Sequence, residues 1–199
     1  MRRIAVLVSG YGSNLQAIMD ACASGKLPDA EVVAVVANRK TSYGLQRAIS
    51  QGIASVYHPL ASYRRWGLDR EAYDADLAAI MDRYRPDVIA LAGWMHLFSM
   101  AFLDRFQGRV LNIHPALPGA FPGTHAIERA YRAYQRGEIT HTGVMVHYVP
   151  DEAVDEGPVV AQQVVPIQPG DTLESLEERI HAVEHVLYPR AIAKALDAT

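Results

Sequence analysis

Short apolar runs alternate along this chain with stretches in which apolar side chains recur every three or four positions. The runs at 4–8, 32–37, 54–57, 88–92 and 110–114 have the length and composition of buried strands. Between them, Leu15, Ile18, Met19 and Cys22 recur at helical spacing, and similar patterns cover 43–51, 70–84 and 125–135. Alternation of this kind predicts parallel strands with helices packed on both faces. From His141 the period changes to two. Val144, Val146 and Tyr148 share one face and Gly143, Met145 and His147 the other, so a hairpin strand is expected here, paired antiparallel with 159–165. Thr172 and Ser175 open a last helix that runs to about Leu196 and is interrupted or kinked at Pro189. The fold class is therefore α/β: a Rossmann-like, open, twisted, mainly parallel sheet flanked by helices, with an antiparallel hairpin pair near its carboxyl-terminal end. Residues 63–66 read as an exposed polar and aromatic loop, and 116–123 are too rich in proline and glycine for regular structure.

The polar residues that interrupt this pattern carry the candidate chemistry. Alternation along 110–114 points Asn112 and His114 the same way, with Leu111 and Ile113 opposite, and Pro115 ends the strand. An amide and an imidazole at a strand's carboxyl end can donate to a developing oxyanion or move a proton. They could equally finish a strand with no chemistry. The first strand runs into Ser9-Gly10-Tyr11-Gly12-Ser13-Asn14, where Ser13 or Asn14 can cap the next helix and its free amides offer a phosphate seat; a tight turn without ligand is the alternative. No Gly-Lys-Ser/Thr follows, and Leu15 replaces the third glycine of a dinucleotide fingerprint. Together with Asn38 closing the second strand, this favours a single phosphate over NAD. Gly93-Trp94-Met95-His96-Leu97-Phe98 offers a glycine and bulky apolar residues that suit either a pocket for a flat ligand or a buried loop. Arg70, a cation at a helix start, opposes the helix dipole and is a candidate anion ligand. Asp155, if it folds back on His114, would raise the imidazole pKa. His141 and His147 share a strand face but have no third ligand at a recognisable spacing, so no metal is expected. Glu184 and His185 fall in the last helix, where charged residues mostly face solvent.

Composition narrows the classes. The chain has 199 residues, a formal net charge of −3, half its residues hydrophobic and a single cysteine. That fits one domain spanning 1–199 and a reducing, cytoplasmic setting, with neither nucleic acid nor a membrane as partner. The apolar run after Arg2-Arg3 is too short for a signal or membrane span.

Taken together, several motifs resemble the phosphoribosylglycinamide formyltransferase family of folate-dependent formyltransferases. They are Gly12-Ser13-Asn14-Leu15-Gln16-Ala17, Arg70-Glu71-Ala72-Tyr73, Leu91-Ala92-Gly93, Asn112-Ile113-His114-Pro115, Asp155-Glu156-Gly157-Pro158 and Glu184-His185. The resemblance runs nearly end to end. It implies attack of a ribonucleotide amine on the formyl carbon of 10-formyltetrahydrofolate, with no covalent enzyme intermediate, in purine biosynthesis. Asn112 and a protonated His114 would stabilise the oxyanion, and Asp155 would keep His114 charged and assist proton transfer. Gly12, Ser13 and Asn14 would bind the substrate phosphate and Glu184 the ribose. Met95, His96, Leu97 and Phe98 would wall the folate together with Asn112, with Arg70 near its glutamate tail. The partners implied are small molecules, and the assembly a monomer or homodimer. The competing assignments are a formyltransferase with a sugar-nucleotide acceptor and a non-catalytic module that binds nucleotide phosphate. Here His96 stands where many relatives carry Arg, and 116–119 read Ala-Leu-Pro-Gly in place of Ser-Leu-Leu-Pro.

Overall fold

The computed structural model describes residues 1–198 and places seven strands in one sheet. The strands are β1 (Arg2–Val8), β2 (Ala30–Ala37), β3 (Ala54–Tyr57), β4 (Val88–Leu91), β5 (Val110–His114), β6 (His141–Tyr148) and β7 (Val159–Pro166), in the order β3-β2-β1-β4-β5-β6-β7. β1 to β5 are parallel, while β6 runs antiparallel to both β5 and β7. The predicted class and the late hairpin pair are both present.

Side-chain alternation on β1 builds two cores. Ile4, Val6 and Val8 face α1 (Ser13–Ala23) and the long α7 (Leu173–Asp197), whereas Ala5 and Leu7 face α4 (Arg70–Asp82) and α5 (Met100–Leu103). β5 continues the pattern. Leu111 and Ile113 join the α7 side, so Asn112 and His114 emerge on the side of α4 and α5. Two further helices, α2 (Tyr43–Ser50) and α6 (Ala126–Gln135), pack beside β2 and α7 respectively. Among the described residues no helix is long and apolar enough to cross a membrane.

Three local expectations need correction. Residues 63–66 do not form a loop: a short helix, α3 (Leu60–Arg65), carries Tyr63 into the core. There its hydroxyl donates to Asp76 at 2.6 Å and its ring stands edge-on to Tyr73. One buried aromatic anchor overrides a polar local sequence; Arg64, Arg65 and Trp66 stay exposed. At Pro189 the interruption does not occur, and α7 runs through it as one helix. The preceding residue, Tyr188, is fully buried, and its hydroxyl donates to the carbonyls of Leu91 (3.1 Å) and Leu111 (3.0 Å), which ties the proline's turn to the sheet. Neither Ser13 nor Asn14 caps α1. The N-cap is Gly12 at φ 77, with no side-chain cap.

Candidate active site

The carboxyl ends of β1, β4 and β5 lie side by side, and the loops that leave them carry the polar groups. Strand pairing sets His147 directly across from Asn112 and Met145 across from His114. Opposed residues share a sheet face, so β6 contributes a second imidazole beside the Asn112 amide. The fourth member, Asp155, comes from the β6–β7 connection. That loop doubles back so closely that a Cβ on Gly157 would stand 1.8 Å from the Tyr148 carbonyl oxygen, and Asp155 itself takes a left-handed φ of 57.

Asp155 is the hub. Its Oδ1 accepts from Asn112 Nδ2 at 3.1 Å and lies 3.4 Å from His147 Nε2. Oδ2 accepts the Gly123 amide at 2.8 Å and lies 3.3 Å from His114 Nδ1. All three side chains are nearly closed to solvent, at 9% for Asp155, 5% for His114 and 2% for His147. Burial pushes the Asp155 carboxyl up, but the hydrogen bonds from His147 and Gly123 and the charges of both imidazoles outweigh it, leaving the pKa below the ordinary aspartate value.

His114 departs from expectation. Burial is the largest influence on it and lowers its pKa; the upward pushes from Asp155 and from the Phe121 carbonyl do not overcome it, and His147 and Arg129 add to the fall. Burial thus works against the protonated ring that Asp155 and the Phe121 carbonyl favour. Its Nε2 lies 3.0 Å from the Phe121 carbonyl, which only a protonated Nε2 can satisfy. Nδ1 faces a second acceptor, the Asp155 carboxylate at 3.3 Å, and only a ring protonated on both nitrogens donates to the two together.

The glycine-rich turn is built for close approach. A Cβ on Gly12 would meet Gly44 Cα at 2.9 Å, and the loop is strapped down by Ser42 Oγ and the Gly44 amide, both donating to the Gly10 carbonyl. The first backbone bond of α1 runs from the Gln16 amide to the Gly12 carbonyl, so the amides of Ser13, Asn14 and Leu15 are the first-turn donors a helix cannot satisfy itself. Asn14 Nδ2 donates to Glu184 Oε2 at 3.0 Å, and Asn14 Oδ1 is buried with no partner among the described residues. Glu184 does not face solvent as a typical helical glutamate does. It lies buried on the inner face of α7, four residues after Ile180 and four before Tyr188, and burial raises its pKa despite the Asn14 bond and the nearby His181. A carboxylate kept there at an energetic cost, beside an unpaired amide oxygen, suits a ligand rich in hydroxyls.

The segment after β4 divides by alternation. Met95 and Leu97 are 58% and 59% exposed, while Phe98 is buried in an aromatic ladder and His96 is half-buried against Trp94 and Tyr73. Burial, with the charges of Arg70, Arg64 and Arg39, lowers the His96 pKa to about 4, so this position offers no cation at neutral pH. Arg70 is already engaged: its Nε lies 3.0 Å from both oxygens of the buried Asp74, and Nη2 donates to the Leu97 carbonyl. Ser9 joins this segment to the glycine turn, its amide donating to the Gly93 carbonyl and its hydroxyl accepting the Met95 amide.

The structure thus brings Asn112, His114 and Asp155 together, and separately Gly12, Ser13 and Asn14 with Glu184. His147 was not among the expected site residues. Its even offset along β6 was visible in the sequence, but only the register sets it opposite Asn112. Among the described residues no cluster of three or more His, Cys, Asp or Glu side chains is arranged to hold a metal ion.

The sequence profile described as formyl transferase matches residues 2–192. The phosphoribosylglycinamide formyltransferase of Schizosaccharomyces pombe is 49% identical over 196 residues, covering 95% of this chain and 94% of its own length. A trifunctional purine biosynthetic protein adenosine-3 from Drosophila pseudoobscura pseudoobscura is 44% identical over 193 residues, 96% of this chain but 14% of that protein. The crystal structure of glycinamide ribonucleotide transformylase 1 from Symbiobacterium toebii superposes with a TM-score of 0.90 at 42% identity, covering 100% of this chain and 89% of that one.

Proposed function

The chain belongs to the formyl transferase family, and from that premise we propose that it moves a formyl group from 10-formyltetrahydrofolate to the amine of phosphoribosylglycinamide, a step of purine biosynthesis. The observation that carries the reading is the convergence of Asn112, His114 and Asp155 at the carboxyl end of β5.

Attack of a neutral amine on a formyl carbon makes one C–N bond, puts negative charge on the formyl oxygen, and then breaks the bond to the donor nitrogen. One proton leaves the attacking amine and one arrives at the departing nitrogen. Asn112 Nδ2 and His114 Nε2–H are the donors for the charged oxygen. In this structure each already donates to a stand-in acceptor, Asn112 to Asp155 and His114 to the Phe121 carbonyl, and would exchange it for the oxyanion. The Asp155 carboxylate, with its lowered pKa, orients both donors and takes up the amine proton for delivery to the leaving nitrogen.

The α1 amides at Ser13 and Asn14 and the backbone freedom of Gly12 suit one phosphate, with Glu184 and Asn14 placed for the ribose hydroxyls. Met95 and Leu97, apolar side chains held in solvent, suit the flat face of the folate, with the inward-facing His96 and Phe98 supporting them from behind.

The test mixes purified protein with phosphoribosylglycinamide and 10-formyltetrahydrofolate and follows deformylated folate by absorbance and the formylated product by mass spectrometry. An amino-sugar nucleotide serves as the competing acceptor. The reading predicts transfer to the ribonucleotide and none to the sugar nucleotide. Ribonucleotide binding by folded protein without transfer would overturn it.

A further inference from the structure

Met95 and Leu97 stand more than half exposed in a stretch with no regular structure between β4 and α5. An unanchored stretch would turn these side chains inward, since burying a Leu or Met is favourable by about 1.5–3 kcal/mol. Something holds the backbone. At its start the grip is Ser9, which takes the Met95 amide on its hydroxyl at 2.9 Å. At its end the grip is Asp74.

Asp74 lies on α4 with no exposed surface. Its Oδ2 accepts both the Ser99 amide, at 2.7 Å, and the Ser99 hydroxyl, at 2.9 Å. Both oxygens lie 3.0 Å from Arg70 Nε, and Arg70 in turn donates from Nη2 to the Leu97 carbonyl. One buried carboxylate therefore fixes residues 97 and 99, the first through Arg70 and the second directly. The next residue is held as well, because the Met100 amide donates to Glu152 Oε1 at 3.1 Å, from the loop that also carries Asp155.

We propose that Asp74 is a positioning residue for the formyl donor: it acts through Arg70 and Ser99 to hold the 95–98 wall with Met95 and Leu97 presented outward. This rests on the reading of that wall as the folate side of the site. Arg70 is first a strut of the wall; its side chain is 31% exposed, which leaves room for a carboxylate on the donor to reach the guanidinium. A buried charge-assisted clamp suits the task, because removing its acceptor leaves the Arg70 guanidinium and the Ser99 amide short of partners and frees the segment to collapse.

The experiment uses full-length Asp74→Asn and Ser99→Ala, each checked for folding by circular dichroism, with two readouts. Hydrogen exchange of the 95–99 amides reads the clamp whether or not folate is the donor. Steady-state kinetics read its use. Both variants are expected to exchange faster at 95–99. KM for the formyl folate should rise about tenfold in Asp74→Asn and less in Ser99→Ala, while kcat and KM for the ribonucleotide stay within about twofold. Unchanged exchange at 95–99 overturns the clamp. Faster exchange with an unchanged folate KM, or with kcat and both KM values altered alike, overturns its role in positioning the donor. Faster exchange in a protein whose unaltered form transfers no formyl group would instead refute the reading of function and leave the clamp standing. Should Asp74→Asn not fold, Ser99→Ala decides by the same outcomes, since it removes one hydroxyl and keeps the carboxylate.

Discussion

Asp155 touches every other member of the proposed reaction centre, so its charge bears on the state of its neighbours. The carboxylate is the leading influence that raises the His114 pKa against burial. Asp155→Asn should therefore lower that pKa further while keeping a hydrogen-bonding side chain in place. NMR titration of the His114 ring checks it: the wild-type ring titrates below the ordinary histidine value and the variant lower still. A variant ring that titrates at the same pH or higher would contradict the arrangement. At this scale the sequence was partly legible. Strand alternation alone places Asn112 and His114 on one face. It cannot choose Asp155 from Asp151, Glu152 and Glu156 in the same loop, because the choice is made by where a left-handed turn aims one carboxylate. Glu184 carried a signal in its four-residue spacing from Ile180 and Tyr188, which marks the buried face of α7, but the helix-wide expectation that charges face solvent hid it. The net charge of His114 was not readable, since it depends on how deeply the ring is buried.

Among the elements, the β6–β7 connection matters most, for it delivers Asp155 to a strand it does not belong to. The hairpin itself was legible from its period of two; its register against β5, which brings in His147, was not. The return path depends on Gly157, since any Cβ there would occupy the place of the Tyr148 carbonyl. Gly157→Ala should move the loop and with it the Asp155 carboxylate, lowering kcat at least about tenfold, because small misplacements of a catalytic group are costly. Steady-state kinetics with a thermal melt as control test this. Full activity in a folded Gly157→Ala protein would show that the close passage does not position Asp155. Elements whose fate rests on one tertiary contact were misread: the polar stretch around Tyr63 became helix because one aromatic side chain found the core, and α7 ran through Pro189 because Tyr188 is bonded to two strands.

For the molecule as a whole, the same burial that shapes the site makes stability depend on pH. Burial is the main cause lowering the pKa values of His58, His96, His114 and His185, to about 4 for His96. A histidine with a depressed folded pKa binds fewer protons folded than unfolded. Its contribution is complete above the unfolded value of about 6.5 and is lost as pH falls through the folded one. Asp155 and Asp171, both lowered, act in the same direction at more acid pH. Glu184, raised by burial, acts the opposite way and already destabilises at neutrality. The thermal midpoint should fall steadily from about pH 6.5 to about pH 4; a flat or rising midpoint over that range would contradict these environments. The architecture was the most legible feature of all, since strand and helix periods are written along the whole chain, whereas the site is assembled from loops that meet only in three dimensions. In the proposed mechanism the Asn112 amide stabilises the charge formed on the formyl oxygen. Its most direct test is the single-turnover rate of Asn112→Ala with both substrates saturating. The expected rate is about 10²- to 10³-fold below wild type with both substrates still bound; a folded Asn112→Ala protein turning over at the wild-type rate would rule out this role for the amide.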